Sequence, residues 1–67
     1  MTIAIGNRIK TLRSARRVTQ KQLAAFLGVT PQAVSRWELA SAYPDVELLP
    51  AIAKYFAVST DFLLGVE

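Results

Sequence analysis

Three polar side chains lie close together in the middle of the sequence, where Ser35 and Arg36 follow Gln32 by three and four residues. At helical spacing these residues share one face, and Val34 and Trp37 form an apolar stripe on another. Amide, hydroxyl and guanidinium groups on one helical face can hydrogen-bond to base edges in the major groove of duplex DNA. The alternative is that this polar face merely keeps a corner between two helices of a small bundle soluble.

The surrounding sequence, TQKQLAAFLGVTPQAVSRWE, predicts two short helices joined by one tight turn. Thr19 and Gln22 form a capping box at the start of the first helix. Gly28 provides the turn, because a residue without a Cβ adopts the left-handed conformation at little cost. Thr30 caps the second helix, and Pro31 occupies its first position, where a missing N–H does no harm. This segment therefore predicts a helix-turn-helix.

Charge is distributed unevenly along the chain. Residues 1–37 contain seven basic and no acidic side chains, whereas residues 38–67 contain five acidic side chains and Lys54. The two parts carry +7 and −4, so the net charge of +3 conceals a strongly basic end. This asymmetry favours binding to a polyanion through the first part of the chain. A solvated basic face on the first helix is the alternative explanation.

Composition argues against catalysis and metal binding. The 67 residues include no cysteine and no histidine, so neither a disulfide nor a thiolate or imidazole metal site can form. The chain has no glycine-rich phosphate-binding loop and no carboxylate pair placed in an evident cleft. We therefore expect a single domain over residues 1–67 that needs no cofactor and is not an enzyme.

The sequence gives no sign of a membrane or secretory destination. No apolar run approaches the roughly 18 residues of a membrane span. The first ten residues, MTIAIGNRIK, are too short and too interrupted for a secretory signal. A cytoplasmic location is the expectation.

Periodicity and capping residues predict five helices and no strands. The apolar stripe of the fourth helix consists of Val46, Leu49, Ile52, Ala53 and Phe56. Pro50 lies within it, so we expect a loose 3₁₀-like opening after an Asp45 cap. Helix 1 is predicted from about residue 4 to Arg16, helix 2 over about 20–27 and helix 3 over about 31–38. Helix 4 is predicted to open with a 3₁₀-like turn at 46–49 and to end at Phe56, and helix 5 to follow the cap Ser59 and end at Gly65.

The last helix carries three consecutive apolar residues, Phe62, Leu63 and Leu64. Three in a row cannot all face inward on one short helix, so at least one is expected to be exposed. An exposed apolar side chain here would suggest a surface for a partner protein. The alternative is that a small domain simply leaves a leucine in water.

The chain resembles the Cro/repressor-type (XRE-like, lambda-repressor-like) helix-turn-helix domains over nearly its whole length. The shared motifs are I-x-x-R-I-K-x-L-R at Ile5–Arg13, T-Q-x-x-L-A at Thr19–Ala24, L-G-V-T at Leu27–Thr30, V-S-R-W-E at Val34–Glu38, Y-P-D at Tyr43–Asp45 and V-S-x-D-x-L-L-G at Val58–Gly65. The resemblance implies an all-α, five-helix lambda-repressor-like fold whose helix-turn-helix consists of helices 2 and 3.

The resemblance also implies roles for individual residues. Gln32 and Arg36 would be the main base readers, since glutamine suits adenine and arginine suits guanine. Gln20 would contact a DNA phosphate at the start of helix 2. Apart from the resemblance, we expect Lys21 to contribute charge at the interface, so that replacing it weakens binding to all sequences alike. The remaining candidates near the groove are Thr30, Pro31, Ala33 and Ser35.

Two further implications concern structure. Arg13 and Glu38 match positions that form a partly buried ion pair in such domains, which makes Arg13 structural. Three residues, Arg17, Ala40 and Ala57, stand where the family often has glycine or asparagine after a helix. Because a Cβ in the left-handed region costs about 1 kcal/mol, we expect these helix ends to differ slightly.

The function implied by the resemblance is sequence-specific binding of double-stranded DNA by a transcriptional regulator of repressor type. A short recognition helix reads only a few base pairs, so a homodimer on a two-fold operator is expected, with helix 5 as the natural dimer surface. The alternative is a protein-interaction module, such as the DNA-binding part of an antitoxin or a bridging adaptor.

Overall fold

The computed structural model describes residues 4–66, and these contain five α-helices, one 3₁₀ turn and no strand. They pack into a body of 28 × 24 × 22 Å. The elements are α1 Ile5–Ala15, α2 Gln20–Leu27, α3 Pro31–Glu38, the 3₁₀ turn Val46–Leu48, α4 Leu49–Phe56 and α5 Thr60–Leu64. The predicted all-α, five-helix class is confirmed, with α1 one residue shorter at each end than expected.

Side-chain caps begin three of the helices as the sequence predicts. The Thr19 hydroxyl accepts a hydrogen bond from the Gln22 N–H at 3.0 Å, and the Gln22 side chain accepts from the Thr19 N–H at 2.8 Å. The hydroxyl of Thr30 accepts from Ala33 at 3.1 Å. Ser59 accepts from the Phe62 N–H at 2.9 Å and so caps α5. These bonds satisfy amide groups that a helix start otherwise leaves unpaired.

The proline in the fourth helix is accommodated by the predicted 3₁₀ opening. The 3₁₀ turn ends at Leu48, and Pro50 falls in the first turn of α4, where its missing N–H breaks no helical bond. Asp45 occupies the N-cap position of this opening, as predicted, but its side chain makes no capping hydrogen bond. Val46 was misplaced in the apolar stripe, since it is 79% exposed.

The core consists of one apolar cluster to which all five α-helices contribute, and it contains no buried polar or charged residue among residues 4–66. Trp37 is 5% exposed, which confirms that it belongs to the core rather than to a stacking surface. The buried hydrophobic residues that form the core are Ile5, Ile9, Leu23, Ala24, Val34, Trp37, Ile52, Ala53, Phe56 and Leu63.

A glycine allows α1 to approach the end of α3. A Cβ added at Gly6 would overlap the carbonyl oxygen of Trp37. The backbones of the two helices therefore come into direct contact, and this close approach places the start of α1 against the end of α3.

The three helix ends expected to differ from the family in fact keep the left-handed conformation. The φ angles are 55° at Arg17, 61° at Ala40 and 56° at Ala57. The expectation of altered ends was therefore wrong, because the hydrogen bonds that close each helix hold the backbone in place in spite of the Cβ. Val18 donates to the Arg13 carbonyl at 2.9 Å, and Val58 donates to Ala53 at 3.0 Å.

The apolar run of α5 is more deeply covered than the sequence suggests. Leu63 is fully buried, and Phe62 and Leu64 are half-buried, so none of the three is freely exposed. The guanidinium of Arg8 lies 4.4 Å from the centroid of the Phe62 ring and shields it. The prediction of an exposed residue in this run was wrong, because α1 covers one side of the short helix.

Candidate nucleic-acid interface

The helix-turn-helix is formed by α2 and α3 around a left-handed glycine. Gly28 has φ 74° and ψ 28°, and its N–H closes α2 on the Ala24 carbonyl. Where the two helices cross, Ala24 is 1% exposed and Val34 is completely buried. A small residue at the crossing and a branched one in the angle fix the orientation of α3 relative to α2.

The outer face of α3 presents the polar groups predicted from the sequence. Gln32 and Arg36 are exposed, and Ser35 beside them is half-buried. Neither the Gln32 amide nor the Arg36 guanidinium has a hydrogen-bond or ion-pair partner among residues 4–66. These groups are therefore free to bind a ligand, and because they lie one helical turn apart on one face, both can reach base edges in a major groove.

The end of α3 is fixed to α1 by the predicted ion pair. The Arg13 guanidinium donates two hydrogen bonds to the Glu38 carboxylate, at 2.7 and 3.0 Å, and a third to the Val18 carbonyl at 2.8 Å. The Arg13 side chain is only 16% exposed and that of Glu38 only 4%. A bidentate pair with this little exposure is both stronger and more directional than a surface ion pair.

Gln20 joins the same network. Its side-chain N–H donates to Glu38 at 3.1 Å, so the amide at the start of α2 is held against the end of α3. One N–H of that amide remains for another acceptor, because a glutamine amide carries two. Sequence reasoning placed Gln20 at the interface but missed its bond to Glu38.

The pKa values of the pair reflect this network. Burial of the Glu38 carboxyl raises its pKa, but hydrogen bonds from Arg13 and Gln20, together with the charges of Arg13 and Lys10, outweigh burial. The pKa of Glu38 consequently lies below its ordinary value of 4.5. The hydrogen bond to Glu38 raises the pKa of Arg13, so the pair stays ionised at neutral pH.

A shallow depression lies where the end of α1 meets the starts of α2 and α3. It contains basic and polar groups but no acidic side chain, and Arg17 and Lys21 are both exposed there. The capping box occupies the amides of Thr19 and Gln22, which leaves the N–H groups of Gln20 and Lys21 without partners among residues 4–66. The lining residues are Arg13, Ser14, Arg17, Val18, Thr19, Gln20, Lys21 and Pro31.

The structure brings part of the predicted site together. Gln20, Lys21 and Pro31 line the depression, and Thr30 and Pro31 are exposed at the start of α3. Ala33 is half-buried against the core. Sequence reasoning missed Arg17 as a lining residue, and the only available signal was a basic residue two positions before the cap of α2.

Among residues 4–66, no helix is long and apolar enough to span a membrane. The same residues contain no cluster of three or more acidic, cysteine or histidine side chains that could hold a metal ion.

Comparison with known proteins gives consistent matches. A family model described as helix-turn-helix matches residues 9–63. The chain is 42% identical over 62 residues to the HTH-type transcriptional activator BcrR of Enterococcus faecalis, covering 92% of this chain. The chain spans only 30% of the length of that activator.

Solved structures show the same fold. The P22 c2 repressor bound to a synthetic operator superposes with a TM-score of 0.87 at 33% identity, covering 98% of this chain and 100% of the repressor chain. A transcriptional regulator from Listeria innocua superposes with a TM-score of 0.92 at 26% identity, covering 97% of this chain and 61% of that regulator.

The family match extends over most of the chain and includes both helices of the helix-turn-helix and the ion pair that supports them. The chain belongs to the Cro/repressor-type (XRE-like) helix-turn-helix family.

Proposed function

We propose that this chain binds double-stranded DNA in a sequence-specific manner as part of a transcriptional regulator of repressor type. The observation that carries the proposal is the free, exposed pair Gln32 and Arg36 on the outer face of α3. With α3 in the major groove, Gln32 would pair with adenine and Arg36 with the O6 and N7 atoms of guanine. The fold of the operator-bound P22 c2 repressor supports this mode of binding.

The other interface residues would position the domain on the DNA backbone. Gln20 has one amide N–H left for a phosphate, and Lys21 contributes charge beside it. Thr30, Pro31 and Ser35 would contact the groove walls or thymine methyl groups near the start of α3. Phosphate contacts fix register and orientation, whereas the base contacts carry specificity.

A homodimer on a two-fold operator is part of the proposal. The eight residues of α3 read only a few base pairs, so tight binding requires two half-sites about one helical turn, or roughly 34 Å, apart. The acidic second part of the chain, including α5, would face the partner copy or another protein. We further propose that the chain acts in the cytoplasm, without enzymatic activity.

The proposal is tested by selecting bound sequences from a random pool of duplexes and then measuring the affinity of variants. Arg36→Ala should weaken binding by about 1–3 kcal/mol and relax the preference at one base position. Lys54→Ala is the matched control, because Lys54 is an exposed basic residue of α4.

An Arg36→Ala variant with the wild-type affinity and base preference would contradict the assignment. A wild-type chain that binds no duplex at low salt but forms a stable complex with another protein would instead favour the antitoxin or adaptor function.

A further inference from the structure

We propose that Arg17 and Lys21 together clamp one phosphodiester group of the DNA backbone next to the start of α3. This inference rests on the proposed DNA binding and adds a residue, Arg17, that the family resemblance treats only as a helix end. The clamp would place α3 in the groove without reading any base.

The first observation is the backbone conformation of Arg17. Its φ of 55° lies in the left-handed region, which costs a residue with a Cβ free energy that glycine would not lose. Residues with strained backbone conformations of this kind are often found at functional sites. Ala40 and Ala57 share the conformation but carry only a methyl group, so strain alone does not assign the role.

The second observation is the position of the Arg17 guanidinium. Arg17 is exposed and has no hydrogen-bond or ion-pair partner among residues 4–66. The turn that holds it is closed on both sides, by the Arg17 N–H donating to Ser14 at 3.2 Å and the Val18 N–H donating to Arg13 at 2.9 Å. A free guanidinium on a fixed turn is suited to bidentate contact with an oxyanion.

The third observation is the shared depression. Arg17 lines it together with Lys21 from α2 and Pro31, the first residue of α3. Glu38, which bonds to the lining residues Arg13 and Gln20, is already paired with Arg13, so the depression keeps a net positive charge. An anion held there would lie directly beside the reading helix, where the N–H groups at the start of α2 are also free.

The ligand that fits this arrangement is a backbone phosphate of duplex DNA. Two unpaired cations from different elements match one oxyanion, and no aromatic side chain on which a base could stack lines the depression. Because every sequence has the same phosphates, the clamp should strengthen binding to all duplexes equally.

The test compares Arg17→Gly with Ala57→Gly, which relieves the same backbone strain away from the depression. Binding is measured on a selected duplex and on a duplex of unrelated sequence, each of about two helical turns, between roughly 50 and 200 mM salt. Arg17→Gly should lower the affinity for both duplexes about threefold to tenfold. It should also reduce the slope of log affinity against log salt concentration by about 0.9, as expected for the loss of one phosphate contact. Its thermal midpoint should not fall.

Ala57→Gly should keep the wild-type affinity and slope, and Arg17→Lys should keep most of the slope because the charge remains. The inference is overturned if Arg17→Gly retains the wild-type affinity and slope, or if it changes base preference, since Arg17 would then read a base. Failure of the wild-type chain to bind either duplex would instead refute the proposed function.

Discussion

Glu38 illustrates how one side chain can serve both folding and the candidate interface. Its carboxylate accepts from Arg13 on α1 and from Gln20 on α2, while Glu38 itself ends α3. Three elements of the interface therefore meet at one acid. Removing the charge would leave the Arg13 guanidinium with little exposure and fewer partners, which is costlier than losing a surface ion pair.

At this scale we predict that Glu38→Gln lowers the free energy of unfolding at pH 7 by about 1–3 kcal/mol. The pKa of Glu38 is lowered in the folded state, so its contribution is present above the ordinary carboxyl pKa and is lost as pH falls through the folded-state value. Urea unfolding of the wild type and of Glu38→Gln between neutral and acidic pH measures the difference in their free energies of unfolding. The difference between wild type and variant should shrink below about pH 4.5, and a difference that grows there would contradict the prediction.

Among the elements, the crossing of α1 and α3 depends on the absence of a side chain. Helix periodicity does not distinguish Gly6 from any other position of α1, yet the Trp37 carbonyl occupies the space its Cβ would need. Gly28 is different, because a Cβ there meets nothing within 4 Å, and only its φ of 74° favours glycine. Gly6 is therefore required because a side chain would not fit, whereas Gly28 is favoured because of its backbone conformation.

We accordingly predict that Gly6→Ala destabilises the protein by more than about 3 kcal/mol, since backbone on both sides must shift. Gly28→Ala, the matched control, should cost only about 1 kcal/mol. Thermal unfolding followed by circular dichroism compares the two. Equal losses at both positions would show that α1 and α3 are not in the close contact described.

At the scale of the whole molecule, a basic end and an acidic end share one apolar core. All five helices contribute buried side chains to this core, including Leu63 from α5 and Ile5 from α1. We infer that residues 1–67 act as a single domain. A chain of this size has a small margin of stability, about 3–7 kcal/mol, so losing one helix should unfold the rest.

This inference predicts a single cooperative unfolding transition. Trp37 is the only tryptophan and lies in the core at the end of α3, so its fluorescence reports tertiary packing. The denaturation midpoint from fluorescence should coincide with that from the helical circular dichroism signal. Separate midpoints would mean that some helices unfold independently of the core around Trp37.

The sequence alone determined the local features of this protein. Caps at Thr19, Thr30 and Ser59, the turn at Gly28 and the 3₁₀ opening before Pro50 depend on hydrogen bonds and backbone preferences within a few residues. Such interactions are readable from residue types and spacing, and so are the polar face of α3 and the uneven charge.

Other features depend on how the helices cross and become visible only in the packed molecule. The covering of α5 by Arg8, the exposure of Val46 and the contact of Gly6 with Trp37 follow from distances between residues far apart in the chain. The hydrogen bond from Gln20 to Glu38 and the depression lined by Arg17 have the same origin. Helical spacing tells which side chains share a face, but only packing determines what each face meets.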